Sequence, residues 1–221
     1  MARRRTGRRR GGNGRRQRAG AAEYWLLLLG ITVFIVAGVG ILGPWRFAAA
    51  PPPNVARPMT MAEARASNAK VAVQWRRRSR AEPYRFRGGP AARAQAVDCL
   101  ATAALYEIGG DARGQRAVMQ VILNRVRAPG FPRTICGVVY QGAARATGCQ
   151  FSFTCDGSVR RRPIRLGWAA ARRAANRALS GRVFAPVGRA THYHADWVVP
   201  YWRPTLTKVA RVGPHLFYQR R

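Results

Sequence analysis

One glutamate is the residue best suited to chemistry in the last 131 residues of this chain. From Ala91 to Arg221 there are 21 Lys/Arg and five acidic residues, Asp98, Glu107, Asp111, Asp156 and Asp196. Glu107 closes an apolar stretch that begins at Asp98 and precedes Gly109 and Gly110, where a helix should stop. A carboxyl group at the mouth of an apolar helix end keeps its proton near neutral pH, because desolvation disfavours the charged form. That is the requirement for a general acid. As a mere surface charge, a glutamate at a helix C-terminus would face the unfavourable end of the dipole.

The other candidates fall late. The three histidines are His192, His194 and His215. On a strand, His192 and His194 share one face and Tyr193 takes the other. They could line a groove beside Glu107 by hydrogen-bonding sugars, pack structurally, or bind zinc with His215. Groove-lining is the reading adopted, with no metal and no cofactor assigned. The four cysteines are Cys99, Cys136, Cys149 and Cys155. An even count suits disulfides in a domain outside the cytoplasm. Four cysteines allow three pairings, and sequence does not choose among them. A local Cys149–Cys155 bridge would leave Cys99 and Cys136 to tie the first helix to the segment after the second. A structural zinc site would want C-x-x-C-like spacing, which is absent.

These residues need elements to position them. Val97, Leu100, Ala101, Ala104 and Leu105 recur at helical spacing, predicting a helix over 92–107. Asp111 could cap the next helix, 114–126, with Ala117, Val118, Val121, Ile122 and Val126 as its buried stripe. Pro129 and Pro132 end it. A third helix is predicted over 166–179, stopped at Gly181. Segments around Val183, 191–194, 197–199 and 209–218 then turn β-branched and aromatic with Gly and Pro between them. The expectation is an α+β domain, helices first and a small antiparallel sheet after, spanning 91–221.

The first twenty residues carry nine arginines and no acid. Residues 24–43 are uncharged and apolar, about 30 Å as a helix and enough to cross a bilayer. Tyr24, Trp25 and Trp45 mark the interfaces. The expectation is a basic cytoplasmic tail (1–22), a transmembrane helix (24–43) and an extracytoplasmic linker (44–90), with the domain across the membrane. A cleaved signal peptide ending near Ala48–Ala50 is the alternative. In the linker, Thr60-x-x-Glu63 has capping-box spacing and would start a helix to about Val73. The net charge of +32 could attract polyanions. The arginines of 91–221 are scattered rather than clustered, so compositional bias is preferred there and no nucleic-acid partner is assigned.

Six ordered blocks carry a resemblance. They are Cys99-Leu-Ala-x-Ala-x-Leu-Tyr-Glu107, Gly114-Gln-Arg-Ala-Val-x-Gln-Val-x-Leu-Asn-Arg-Val-Arg127, Phe131-Pro-x-Thr-Ile-Cys-Gly-Val-Val-Tyr-Gln141, Gly148-Cys-Gln-Phe-Ser-Phe-Thr-Cys-Asp-Gly157, Ala190-Thr-His-Tyr-His194 and Gly213-Pro-His-Leu-Phe-Tyr218. Over 97–218 the chain closely resembles the SleB-type cell wall hydrolases, which include spore cortex-lytic enzymes. The resemblance implies a lysozyme-like catalytic domain acting on peptidoglycan, with Glu107 as catalytic acid. It departs from the family at Ile108, where Ala is usual, and at 109–114, where Asp111 replaces a second acidic residue. Gln150 and Phe151 are implied to face Glu107, an amide for N-acetyl groups and a ring for a sugar face. Tyr106, Tyr193 and Tyr218 are further cleft candidates.

The implied reaction is cleavage of the MurNAc–GlcNAc bond by one glutamate. The absence of an obvious carboxylate partner favours a lytic transglycosylase. A zinc-dependent N-acetylmuramoyl-L-alanine amidase and a non-catalytic wall-binding protein are the alternatives. The expected partners are peptidoglycan and the bacterial inner membrane, with the domain in the periplasm.

Overall fold

The computed structural model describes residues 24–34, 58–145, 148–161 and 166–221. The chain divides into two compact units, Met1–Arg57 and Pro58–Arg221. In the first, residues 24–34 are helical. Among the described residues no helix is long and apolar enough to cross a membrane. The basic tail 1–22 and the remaining part of the expected span, 35–43, lie outside the described residues.

The second unit begins at Pro58 rather than near Ala91, so residues 58–90 belong to the domain instead of linking to it. Helix α1 (Met61–Ala69) starts at Thr60 with both halves of a capping box. It is shorter than expected, and Asn68 at its end is buried with Nδ2 donating to Asp196 O (2.8 Å) and Val198 O (2.9 Å). Lys208 Nζ closes the same corner by donating to Asn68 O and Val71 O. These polar links leave no periodic trace in the sequence.

Helix α2 (Pro90–Ile108) opens with Pro at its first position, where the missing N–H costs nothing, and ends at Gly109 with φ +67°. Helix α3 (Ala112–Arg127) follows at once. Asp111 caps it by accepting from Arg113 N (2.8 Å) and Gly114 N (3.0 Å). A Cβ on Gly114 would lie 2.6 Å from Ile108 Cγ2 and 2.8 Å from Asp111 Oδ2, so the close α2–α3 junction requires glycine. Helix α4 (Ile135–Val139) is capped by the Thr134 hydroxyl, and α5 spans Trp168–Leu179.

The main core packs Val97, Leu100 and Ala104 of α2 against Val118, Met119 and Ile122 of α3, with α4 and α5 covering it. Fully burying each large side chain stabilises by about 1.5–3 kcal/mol. The Cys99–Cys136 disulfide ties α2 to α4, and Cys149–Cys155 closes a six-residue step.

The sheet is antiparallel with order β1-β3-β2: β1 is His192–Ala195, β2 Thr207–Val212 and β3 His215–Gln219. Tyr193 pairs with Phe217, and the face they share packs with Val121 of α3. The observed architecture is thus helices first and a three-stranded sheet last. The segments around Val183 and 197–199 are loops, not strands. At 197–199 the chain turns around the Asn68 latch, so its backbone carbonyls serve α1 and not a neighbouring strand.

Candidate active site

Glu107 sits in the last turn of α2, one residue before its end. Its Oε2 accepts a hydrogen bond from the Tyr193 hydroxyl at 2.8 Å. Burial pushes the Glu107 carboxyl above the ordinary carboxylate range, with the Tyr193 hydrogen bond and the Arg125 charge opposing. Tyr193 reaches it from β1, its ring stacked on Phe217 at 5.6 Å and edge-on to His215 at 5.9 Å. Burial, then the Glu107 charge, holds the Tyr193 phenol well above its usual range. At neutral pH it therefore remains a hydrogen-bond donor.

Arg125 completes the group. It lies near the end of α3, 3 % exposed, with Nε donating to Thr191 O at 2.6 Å. Its guanidinium lies over the rings of Phe131 (5.3 Å) and Phe151 (5.7 Å). Burial brings its pKa down to about 10, with Tyr193 and Glu107 opposing, so it stays a cation at neutral pH.

The loop that follows supplies a wall. Tyr106 stacks on Phe153 at 4.8 Å, and Phe153 contacts Phe151 at 5.8 Å. Phe151 was expected to offer its ring to a sugar, but it is 2 % exposed beneath Arg125 and packs as core. Gln150 is half-buried at the start of this loop, its backbone N donating to Gln141 O at 2.9 Å.

The strand alternation is as expected, but its consequence divides the candidates. Tyr193 goes to Glu107, whereas His194 and Tyr218 lie on the opposite face of the sheet. His194 donates from Nδ1 to Ala195 O (2.8 Å) and accepts at Nε2 from the Tyr218 hydroxyl (3.0 Å), under Trp202. Both are buried. They are removed from the expected groove because odd and even positions of a strand cannot face one cleft. His192 is half-buried between Phe131 and Trp202, with Nδ1 2.9 Å from Thr191 Oγ1. Burial, then the charges of Arg125 and Arg220, brings its pKa down to about 4. It shares the face of His194 and Tyr218, opposite Tyr193, and meets Phe131, which packs on Arg125.

The four aspartates of this region are engaged elsewhere. Asp98 pairs with Arg172 at 2.8 Å as an ion pair without hydrogen-bond alignment. Asp111 caps α3, Asp156 Oδ1 accepts from Ser158 N, and Asp196 bridges Arg65 and Arg211. Both sulfur pairs are disulfides, and among the described residues no group of three or more His, Cys, Asp or Glu could hold a metal ion. A cavity of about 420 Å³ lies by Asn124, Arg127, Thr191 and Arg220, and Glu107 does not line it.

Arg125 escaped sequence reading. The available signal was a charged residue inside the buried run of α3, following Val121, Ile122 and Leu123 and preceding Val126.

Residues 109–218 match the family described as Cell Wall Hydrolase, the match beginning two positions after Glu107. The chain is 33% identical over 123 residues to a spore cortex-lytic enzyme of Halalkalibacterium halodurans, covering 55% of this chain and 34% of that protein. A Bacillus cereus spore cortex-lytic enzyme is 31% identical over 123 residues, covering 55% of this chain and 43% of that protein. The chain thus spans less than half the length of these relatives. Among solved structures, the catalytic domain of the Bacillus cereus SleB protein is similar at 28% identity and a TM-score of 0.47, over 61% of this chain and 95% of that one. The catalytic domain of the germination-specific lytic transglycosylase SleB from Bacillus anthracis is similar at 28% identity and a TM-score of 0.47, over 61% and 100%.

Proposed function

We propose, on the match of residues 109–218 to the Cell Wall Hydrolase family, that the chain cleaves the glycan strands of peptidoglycan as a lytic transglycosylase, with Glu107 as its acid and then its base. The observation that carries this reading is a half-buried carboxyl group with raised proton affinity, hydrogen-bonded to Tyr193, with the four aspartates of the region committed elsewhere. Protonated Glu107 donates to the glycosidic oxygen as the bond from C1 of MurNAc breaks. The Tyr193 hydroxyl donates to the carboxylate that results. That carboxylate then takes the proton from the 6-hydroxyl of the same sugar, whose oxygen attacks C1. The product is a 1,6-anhydro ring, no water is consumed, and Glu107 is protonated again. Hydrolysis with retention or inversion would need a second carboxylate at a set distance.

The test is mass spectrometry of sacculi treated with the chain. Anhydro-muramyl ends are expected, and none with Glu107→Gln, a loss of roughly 10²-fold or more. Reducing ends would mean water as nucleophile; free stem peptides would mean an amidase. Undiminished activity of the variant would remove Glu107 from the mechanism.

The same reading places the domain outside the cytoplasm, anchored by 24–43 in the inner membrane. Its support is the arginine-rich start, the uncharged apolar run and two disulfides, which persist in oxidising compartments. Protease added to spheroplasts should digest residues 58–221; full protection would overturn the placement.

A further inference from the structure

We propose that Arg125 is the positioning residue of this site: its buried guanidinium locks β1 in place and supplies the positive charge against which the Glu107 carboxylate forms. The inference rests on the reading of Glu107 as the acid, and it concerns a residue that touches neither the carboxyl group nor the sugar.

The geometry is a chain of contacts from Arg125 to Glu107. Arg125 Nε holds the carbonyl of Thr191 at 2.6 Å. Two residues along, Tyr193 holds Glu107 Oε2 at 2.8 Å. The phenol that receives Glu107 is therefore placed by the guanidinium. Phe131 and Phe151 lie 5.3 and 5.7 Å from the Arg125 Cζ atom, which confines the cation in apolar surroundings. Arg125 Nη1 is buried and has no hydrogen-bond partner among the described residues. Leaving a buried donor unpaired is destabilising, and leaving a buried charge uncompensated more so. A methionine or leucine would fill the same space between two phenylalanines without that cost. The arrangement makes physical sense if the charge is used.

Its use follows from electrostatics in a site of low dielectric. The charged and titratable groups facing Glu107 are Tyr193 and Arg125; those facing Arg125 are Glu107, Tyr193 and His192, with Arg220 facing His192 in turn. His192 is neutral above pH of about 4. Among the described residues, Arg125 is thus the cation whose charge acts on the carboxyl group. Desolvation raises the proton affinity of Glu107 and suits the acid step. Unopposed, it would also make the proton hard to release, because the half-buried carboxylate would lack compensation. The Tyr193 hydrogen bond opposes it first and the Arg125 charge second. Removing the charge should therefore do two things together: keep Glu107 protonated to higher pH, and slow the proton transfer itself.

The experiment is a ¹³C titration of the full-length chain labelled at glutamate. Four side-chain carboxyl resonances are expected, from Glu23, Glu63, Glu82 and Glu107, with Glu107→Gln identifying the fourth. In Arg125→Met the Glu107 midpoint should move upward while those of Glu63 and Glu82 stay, and the alkaline limb of the rate profile should move with it. The maximal rate should fall roughly tenfold or more. Arg125→Lys, which keeps a cation, should return the midpoint toward that of the parent chain. If Arg125→Met does not fold, Arg125→Gln makes the same comparison with a polar side chain. An unmoved Glu107 midpoint in the uncharged variants overturns the proposal, as does a Lys variant that shifts as far as the uncharged one. A purely structural role would lower the rate and leave both midpoint and limb in place. Activity surviving in Glu107→Gln would instead remove the catalytic reading, and the titration would still report on Arg125.

Discussion

Glu107 illustrates how one environment serves catalysis at the expense of stability. Its burial favours the protonated carboxyl in the folded chain, so its folded pKa lies above the unfolded value. Stability from this source is fully present below the ordinary value of 4.5 and is lost as pH rises through the folded pKa. Glutamine keeps the shape, accepts from Tyr193 and cannot ionise. Glu107→Gln should therefore melt close to the parent chain at low pH and above it at neutral pH, with the gap opening across that window. Thermal unfolding of both proteins at several pH values measures it. A gap that stays constant would mean that folding leaves the Glu107 pKa unshifted, and one that closes with rising pH would mean that folding lowers it. The same residue scale explains why Phe151 was misread. The sequence shows a ring next to an amide in a loop, whereas its burial depends on an arginine 26 positions earlier that the apolar pattern of α3 conceals.

Among elements, the α2–α3 junction decides where the acid stands. Glu107 and Ile108 end one helix, and Asp111 begins the cap of the next. Gln115 Nε2 reaches back to donate to Gly109 O, tying α3 to the end of α2. Gly114 is the point of closest approach, where a methyl group would meet both Ile108 Cγ2 and the capping carboxylate. Gly114→Ala should therefore shift the helix end, destabilise by about 1–3 kcal/mol and reduce activity beyond what the stability loss explains. Chemical denaturation and rate measurements below the melting temperature separate the two effects. Unchanged rate and stability would show that the junction yields without moving Glu107. The departures at Ile108 and Asp111 thus have a structural use: Ile108 packs on the core and Asp111 caps. Helices α2, α3 and α5 were legible because their buried faces repeat at helical spacing. The hairpin β2–β3 was legible from its apolar flanks around Gly213. The docking of 58–90 was not, because it rests on Asn68, Lys208 and Arg203 bonding across the chain, and single polar contacts carry no period.

Across the whole domain, the histidines set an acid limit that the catalytic carboxyl does not. His192, His194 and His215 are all held below the ordinary imidazole value, first by burial in each case. For a histidine with a depressed pKa, the folded state binds fewer protons than the unfolded one. Its stabilisation is present above the unfolded value, about 6.5, and is lost as pH falls toward the folded one. For His192 that window extends down to about 4. Glu107 acts in the opposite direction over an adjoining range, since its protonated form is the one the fold favours. The balance predicts a domain whose melting temperature falls as pH drops from about 6.5 toward 4. The effect should belong largely to β1 and β3, where the three imidazoles sit. His192→Gln should melt lower than the parent at neutral pH, through lost packing between Phe131 and Trp202, yet lose less on acidification. Thermal melts of the two proteins between pH 7 and 4 test this directly. Parallel decline in both would assign the acid sensitivity to other groups, and the neutral His192 beside Arg125 would then have no part in it.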